Sequence, residues 1–245
     1  MVQLNVILVG AGGIGAHAAQ ALRRQGHYLV AIDGDVVSES NLDRQIFTED
    51  DLGLPKVSVL ANRGWLNRSM HQYLTHDREL WQTAYSYAPV DQPYVLFGAV
   101  DNMAARRTIL AMGDWLHGQG KKVTVILCGN EENDAEAIAY APGLTLKHPY
   151  QLVPEMETSD DGHDPLRSCT AGPAAPQTYL ANLTAAVIGL QLMKLWAIDL
   201  PKALPCLTET EQETLIRRSA QRIVYQKGLF LHTPEKETVS YGLPT

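Results

Sequence analysis

The opening of the chain constrains its fold more than any other stretch. Leu4 to Val9 is an apolar run interrupted only by Asn5, rich in β-branched residues, that stops at a glycine cluster, Gly10-Ala-Gly12-Gly13-Ile-Gly15. Ala16 to Arg24 contains no proline and reads as helix, with Gly26 where a C-terminal glycine is expected. Strand, glycine turn and helix in this order form the start of a βαβ unit that can receive a phosphate. Gly10 suits the tight turn, Gly12 lets a phosphate approach the backbone beside Gly13, and Gly15 lets helix and strand pack closely. The helix N-terminus adds free N–H groups and the positive end of a dipole. A second apolar run, Tyr28 to Ile32, ends at Asp33, an acid placed to accept hydrogen bonds from a ribose.

The alternation continues. Asp35 to Phe47 reads as a polar loop, Pro55 opens a helix that runs to about Trp65, His71 to Thr75 as a short strand and Arg78 to Tyr87 as a helix. Tyr94 to Val100 is a buried-type strand that delivers Asp101 and Asn102 at its C-terminal end; Ala104 to His117 reads as helix and Lys122 to Leu127 as strand. Strands alternating with helices imply right-handed crossovers and a doubly wound, mostly parallel α/β sheet. Ligands of such sheets sit beyond the strand C-terminal ends, where the glycine cluster, Asp33 and Asp101 all fall.

From 141 to 175 the pattern breaks, with five prolines and an acidic-polar run from Glu155 to Asp164; a loop of this length is a lid, a binding loop or disordered, and an active-site lid or crossover loop is the expectation here. Gln177 to Trp196 resumes as a long apolar helix that packs on the sheet. Farther on, 209–221 reads as helix, and 222–225 and 229–232 as short strands. The whole of 1–245 is expected to form one domain: a core of about 1–140, the lid at about 141–175, and a packing helix with a C-terminal extension at about 176–245.

Net charge is −7, from 20 basic and 27 acidic residues, which argues against a nucleic-acid partner. Three scattered cysteines, Cys128, Cys169 and Cys206, exclude a disulfide scaffold and suit a reducing compartment. No apolar stretch approaches the ~20 residues of a membrane span, and the first apolar run is too short for a signal peptide. The expected location is therefore cytoplasmic, with no membrane partner.

A longer constellation is more specific than the glycines. It runs Asp33-x-Asp35-x-Val37-x-x-Ser40-Asn41-Leu42-x-Arg44-Gln45, then Gly53-x-x-Lys56, then Val100-Asp101-Asn102-x-x-x-Arg106. Over roughly residues 4–130 it resembles the adenylation domain of the ThiF/MoeB/HesA family, relatives of ubiquitin-activating enzymes. The compact length and Ser168-Cys169-Thr170 are similar to the plasmid-associated (PRTRC-type) branch. The resemblance implies a Rossmann-like fold that binds ATP and Mg²⁺. It also implies adenylation of the C-terminal glycine carboxylate of a ubiquitin-like or sulfur-carrier protein, with release of pyrophosphate, by a homodimer.

Carried onto matching positions, Arg44 would grip phosphate oxygens through its planar fork and Lys56 would supply a point charge. Asn41 and Gln45 would hydrogen-bond phosphates, and Asp33, with Asp35 beside it, would hold the ribose. Asp101 would hold Mg²⁺ next to Asn102, although this pair can also cap the following helix. Arg106, one turn into that helix, is a surface residue or a site neighbour. Cys169 is the candidate for taking the activated acyl group, with Arg167 near enough in sequence to lower its pKa; the alternative is a small buried hydrophobe. Cys128 reads as structural and Cys206 has no evident role. The family's structural zinc, held by two Cys-x-x-Cys pairs, is not expected here, even with His163 recruited. The N-terminal arginine arm of many relatives is likewise not expected, because the first strand starts almost at Met1. Rival readings are a docking module without turnover, an NAD-dependent oxidoreductase, and adenylation of a peptide or RNA-borne carboxylate.

Overall fold

The computed structural model describes residues 2–89, 91–130, 134–158, 177–226, 229–232 and 239–242. The first half alternates β1 (Asn5–Val9), α1 (Gly13–Arg24), β2 (Tyr28–Ile32), α2 (Lys56–Asn62), β3 (Arg68–Met70), α3 (Arg78–Ser86), β4 (Tyr94–Gly98), α4 (Met103–Gly118) and β5 (Val123–Asn130). There follow β6 (Ala135–Tyr140), the short helices α5 (Pro149–Leu152) and α6 (Glu155–Thr158), and the long α7 (Tyr179–Lys194). The chain continues through α8 (Leu200–Ala203), α9 (Glu209–Arg218), β7 (Arg222–Gln226), β8 (Leu229–His232) and β9 (Val239–Gly242).

Among the described residues these strands form one sheet in the order β3-β2-β1-β4-β5-β6-β7-β8-β9. The five strands from β3 to β5 pair in parallel, and those from β5 to β9 pair antiparallel. β1 is buried along its whole length, as a parallel strand covered on both faces must be. Its alternate side chains divide between two cores. Leu4, Val6 and Leu8 join Phe97, Ile126 and Trp196 under α1 and α7. Ile7 and Val9 join Leu96, Leu110 and Trp81 under α3 and α4. The sheet is thus doubly wound, and the strand order reverses between β1 and β4, which opens a crevice at their C-terminal ends.

Several local expectations change in three dimensions. The strand expected at 71–75 is instead Arg68–Met70, because pairing with β2 ends where Ile32 meets Met70. The following segment folds back over the β2 terminus: His71 Nε2 lies 3.0 Å from the Gly34 carbonyl oxygen. β6 was not expected, since its alanine-rich sequence has little intrinsic preference for a strand. It forms because the hairpin partner β5 lies alongside, from Val125 opposite Tyr140 to Asn130 opposite Ala135. Within the expected lid, Pro149–Leu152 and Glu155–Thr158 are helical, and 159–176 lie outside the described residues.

The helical path from Tyr179 runs on to Cys206, 28 residues, and is long and apolar enough to cross a membrane by length and composition alone. The sequence reading missed this because a π turn, Leu195–Asp199, carries the helix past Pro201, whose ring cannot donate and crowds the carbonyl four residues back. Half of its most apolar stretch is buried inside the protein. Ala185, Ile188 and Leu192 of α7 belong to the core.

Candidate functional site

In the turn after β1, neighbouring backbone leaves no room for a side chain at two positions. Gly10 has φ of +91° and lies against the Ala99 carbonyl beyond β4, while a side chain at Gly15 would strike the Gly10 carbonyl. Gly12 differs: a Cβ there would meet only the Gln45 amide, at an ordinary 3.7 Å. Packing therefore leaves Gly12 open on its outer side. No side chain caps the start of α1 and its first turn holds no acid, so its N-terminal dipole is not offset locally.

Asp33 ties the turn to the end of β2. Its Oδ2 accepts from the Ala11 N–H at 2.5 Å and its Oδ1 from the Asp35 N–H at 2.7 Å. Desolvation pushes its pKa up, and neighbouring Lys56 opposes that rise. Asp35 accepts from Lys56 Nζ at 2.9 Å and from the Tyr73 hydroxyl at 2.7 Å. Lys56 is the first residue of α2, so a buried ammonium sits at the positive end of a helix. The Asp35 carboxylate compensates for both the burial and the dipole.

The polar loop has more order than its composition promised. Ser38 and Asn41 form a capping box around a 3₁₀ turn, Glu39–Asn41; Asn41 Oδ1 accepts from the Ser38 N–H at 3.1 Å and its carbonyl accepts from Gln45 N–H at 2.9 Å. Asn41 is buried and shapes the loop. Val37 and Phe47 are also buried and pin the ends of that loop. The turn presents Arg44 and Gln45 to the glycine cluster. Arg44 Nε and Gln45 Oε1 are both buried and have no hydrogen-bond partner. Buried polar atoms without partners are uncommon, and of these two side chains the Gln45 amide lies over Gly12 at the uncapped start of α1.

Asp101 is exposed just beyond β4, in the same crevice. Asn102 is the N-cap of α4: its Oδ1 accepts from the Ala105 N–H at 2.7 Å, so that oxygen is already used. Arg106 is not a surface residue. It is buried, donates to the carbonyls of Val100 and Cys128, and lies 3.7 Å from Glu136, which also binds Arg222. Cys128 is fully buried, and desolvation drives its thiol pKa far up, which suits a structural residue. Cys206 is exposed. Cys169, Arg167 and His163 lie outside the described residues. Among the described residues no group of three or more His, Cys, Asp or Glu side chains is arranged to hold a metal.

The sequence reading missed two participants. Tyr73 covers Gly34 and holds Asp35; nothing in its sequence surroundings marks it. Asn182 of α7 donates to the Arg44 carbonyl at 2.9 Å. An asparagine inside an apolar helix was the available signal, because such residues are seldom buried without a partner.

The parallel half-sheet, its reversal point and the uncapped glycine turn define a Rossmann-type α/β domain. The chain matches the ThiF family model over residues 1–117. It is 49% identical over 59 residues to the SAMP-activating enzyme E1 of Haloferax volcanii, a match covering 23% of this chain and 22% of that one. It is 32% identical over 110 residues to the tRNA threonylcarbamoyladenosine dehydratase of Escherichia coli, covering 44% and 41%. The matched stretch thus spans less than half of either relative. Among solved structures, PaaA aligns over 98% of this chain and 64% of its own, with a TM-score of 0.57 and 18% identity. Escherichia coli MccB with ATP aligns over 97% and 63%, with a TM-score of 0.55 and 18% identity.

Proposed function

We propose that this chain binds ATP in the crevice between β1 and β4 and adenylates a carboxylate. The observation that carries the reading is the uncapped N-terminus of α1 behind Gly12, with the Gln45 amide over it and, in the same loop, the buried Arg44 Nε–H donor without a partner. A triphosphate supplies an acceptor for that Nε–H donor, and the free N–H groups of α1 take further phosphate oxygens. Likeness in fold to a protein solved with ATP and the activating enzymes among the relatives support the same reading.

In the reaction, a carboxylate oxygen attacks the α-phosphorus, the bond to the β-phosphate oxygen breaks, and pyrophosphate leaves with an acyl adenylate remaining. Negative charge is distributed over the phosphate oxygens, so the protein's contribution is positioning and electrostatic stabilisation. Arg44 grips oxygens in two directions, Lys56 adds a charge whose position Asp35 fixes, and Gln45 orients without changing the charge. Asp33 holds the glycine turn in place and reaches the ribose edge of the crevice. The exposed Asp101 carboxylate suits Mg²⁺, which binds through one or two carboxylates with waters retained and would offset phosphate charge.

The acceptor is the C-terminal glycine of a ubiquitin-like or sulfur-carrier protein, and the working form is a cytoplasmic homodimer, with Cys169 receiving the acyl group where transfer follows. Calorimetry with ATP–Mg and with NADH, followed by pyrophosphate exchange in the presence of a carrier, tests the reading. ATP binding that weakens in Lys56→Ala supports it. NADH binding alone would make the chain a dinucleotide enzyme. ATP binding without any exchange would make it a docking module.

A further inference from the structure

Asn182 occupies the first turn of α7 with its side chain almost fully buried. It touches two parts of the site that are remote in sequence. Its amide packs on Gly13, where any Cβ would collide with the asparagine's terminal atoms. Its Nδ2 donates at 2.9 Å to the backbone carbonyl of Arg44, 138 residues away. One amide therefore spans the glycine turn and the loop that carries the arginine.

The surroundings keep that amide in place. Thr178 caps α7 by accepting from the Ala181 N–H at 3.1 Å. Tyr179 makes an edge contact with His17 of α1, ring centroids 4.9 Å apart. The start of α7 is thereby joined to the same helix whose N-terminus faces the crevice. The Arg44 guanidinium has a buried Nε without a partner, so its direction depends on where the Arg44 backbone is held, and Asn182 holds the carbonyl of that residue.

We propose that Asn182 is a positioning residue that locks Arg44 in register with the N-terminus of α1, so that both meet one triphosphate. The inference rests on the proposed ATP reading and adds to it a residue from outside the segment that matches the family. An apolar residue of equal size would fill the space at Gly13 just as well; only the donor to Arg44 requires an asparagine.

The test is a double-mutant cycle on the full chain, with ATP–Mg affinity measured by calorimetry and thermal unfolding followed separately. Asn182→Leu keeps the volume and removes the donor; Asn182→Ala removes both. Losing one buried hydrogen bond that orients a charged group is expected to weaken ATP binding by about tenfold. Arg44→Ala is expected to weaken it at least as much, and Arg44→Ala with Asn182→Leu no further than Arg44→Ala alone, since coupled residues are not additive. Unchanged ATP affinity in Asn182→Leu, or losses that multiply in the double variant, would overturn the inference while leaving the ATP reading standing. ATP binding unaffected by Arg44→Ala would overturn that reading and the inference with it. Failure of both Asn182 variants to fold would overturn it too, because a positioning residue must be dispensable to the fold.

Discussion

Lys56 Nζ lies 2.9 Å from Asp35 Oδ2, and the two side chains are only 6% and 10% exposed. Breaking such a pair leaves an uncompensated charge, whereas removing both partners avoids that penalty. Asp35→Ala is expected to cost about 3 kcal/mol of stability, with Asp35→Leu combined with Lys56→Met appreciably milder. Urea unfolding of the single and double variants measures this. A double variant no more stable than Asp35→Ala would show that the pair's burial is not the governing term.

Gly10 and Gly12 are expected to respond in opposite ways to alanine. Gly10→Ala places a side chain at φ +91° against the Ala99 carbonyl. The backbone strain alone costs about 1–2 kcal/mol, and the collision adds to it, so its melting temperature falls. Gly12 has φ of −78° and a Cβ there would make only ordinary contact with the Gln45 amide, so Gly12→Ala stays within about 1 kcal/mol of wild type yet loses ATP affinity by obstructing the approach to the backbone. Melting curves paired with calorimetry separate the two effects.

Asp101 and Asn102 are adjacent but carry different tasks. Asn102→Ala removes the cap of α4 and is expected to cost about 1 kcal/mol, readable in a denaturant titration. Asp101→Asn is expected to leave stability unchanged and to lower the rate of pyrophosphate exchange. An exchange rate equal to wild type in Asp101→Asn would remove Mg²⁺ from this position.

Acid is expected to destabilise the fold through two buried histidines. Desolvation lowers the pKa of both His17 and His27, and the Nε2 atoms of both are buried without a hydrogen-bond partner. Each is therefore neutral in the folded state and takes up a proton more readily on unfolding. Their contribution is fully present above the unfolded value of about 6.5 and is lost as pH falls below it towards the lower folded values. Urea midpoints measured between pH 7.5 and 5 should decline, and less steeply in His27→Gln. An equal decline in that variant would assign the effect to other groups.

Much of the parallel half was legible because its signals are local. The β1 run, the α1 glycines and the Asp33 terminus all lie within one βαβ unit, and each element announces itself through its own period and breakers. Tyr94–Gly98 and Met103–Gly118 likewise emerged close to where periodicity placed them. β6 did not, because Ala135–Tyr140 becomes a strand only when β5 offers an antiparallel edge. Arg106 reads from its spacing as a surface residue or a site neighbour, one turn into α4. Sheet packing buries it and ties it to the carbonyls of Val100, beside Asp101, and of Cys128 on the next strand.

By itself, then, the sequence determined the alternating α/β half, the glycine turn, and which residue types gather at the strand ends. The tertiary structure alone decided that the Gln45 amide lies over Gly12 while the Arg44 Nε is buried with its bond unmade, that Tyr73 closes over Asp35, and that Asn182 joins α7 to the Arg44 loop. The reason is physical. Propensity and periodicity act over one or two helical turns, whereas contacts across 38 residues or 138 residues arise only after sheet order and helix packing have brought distant segments together.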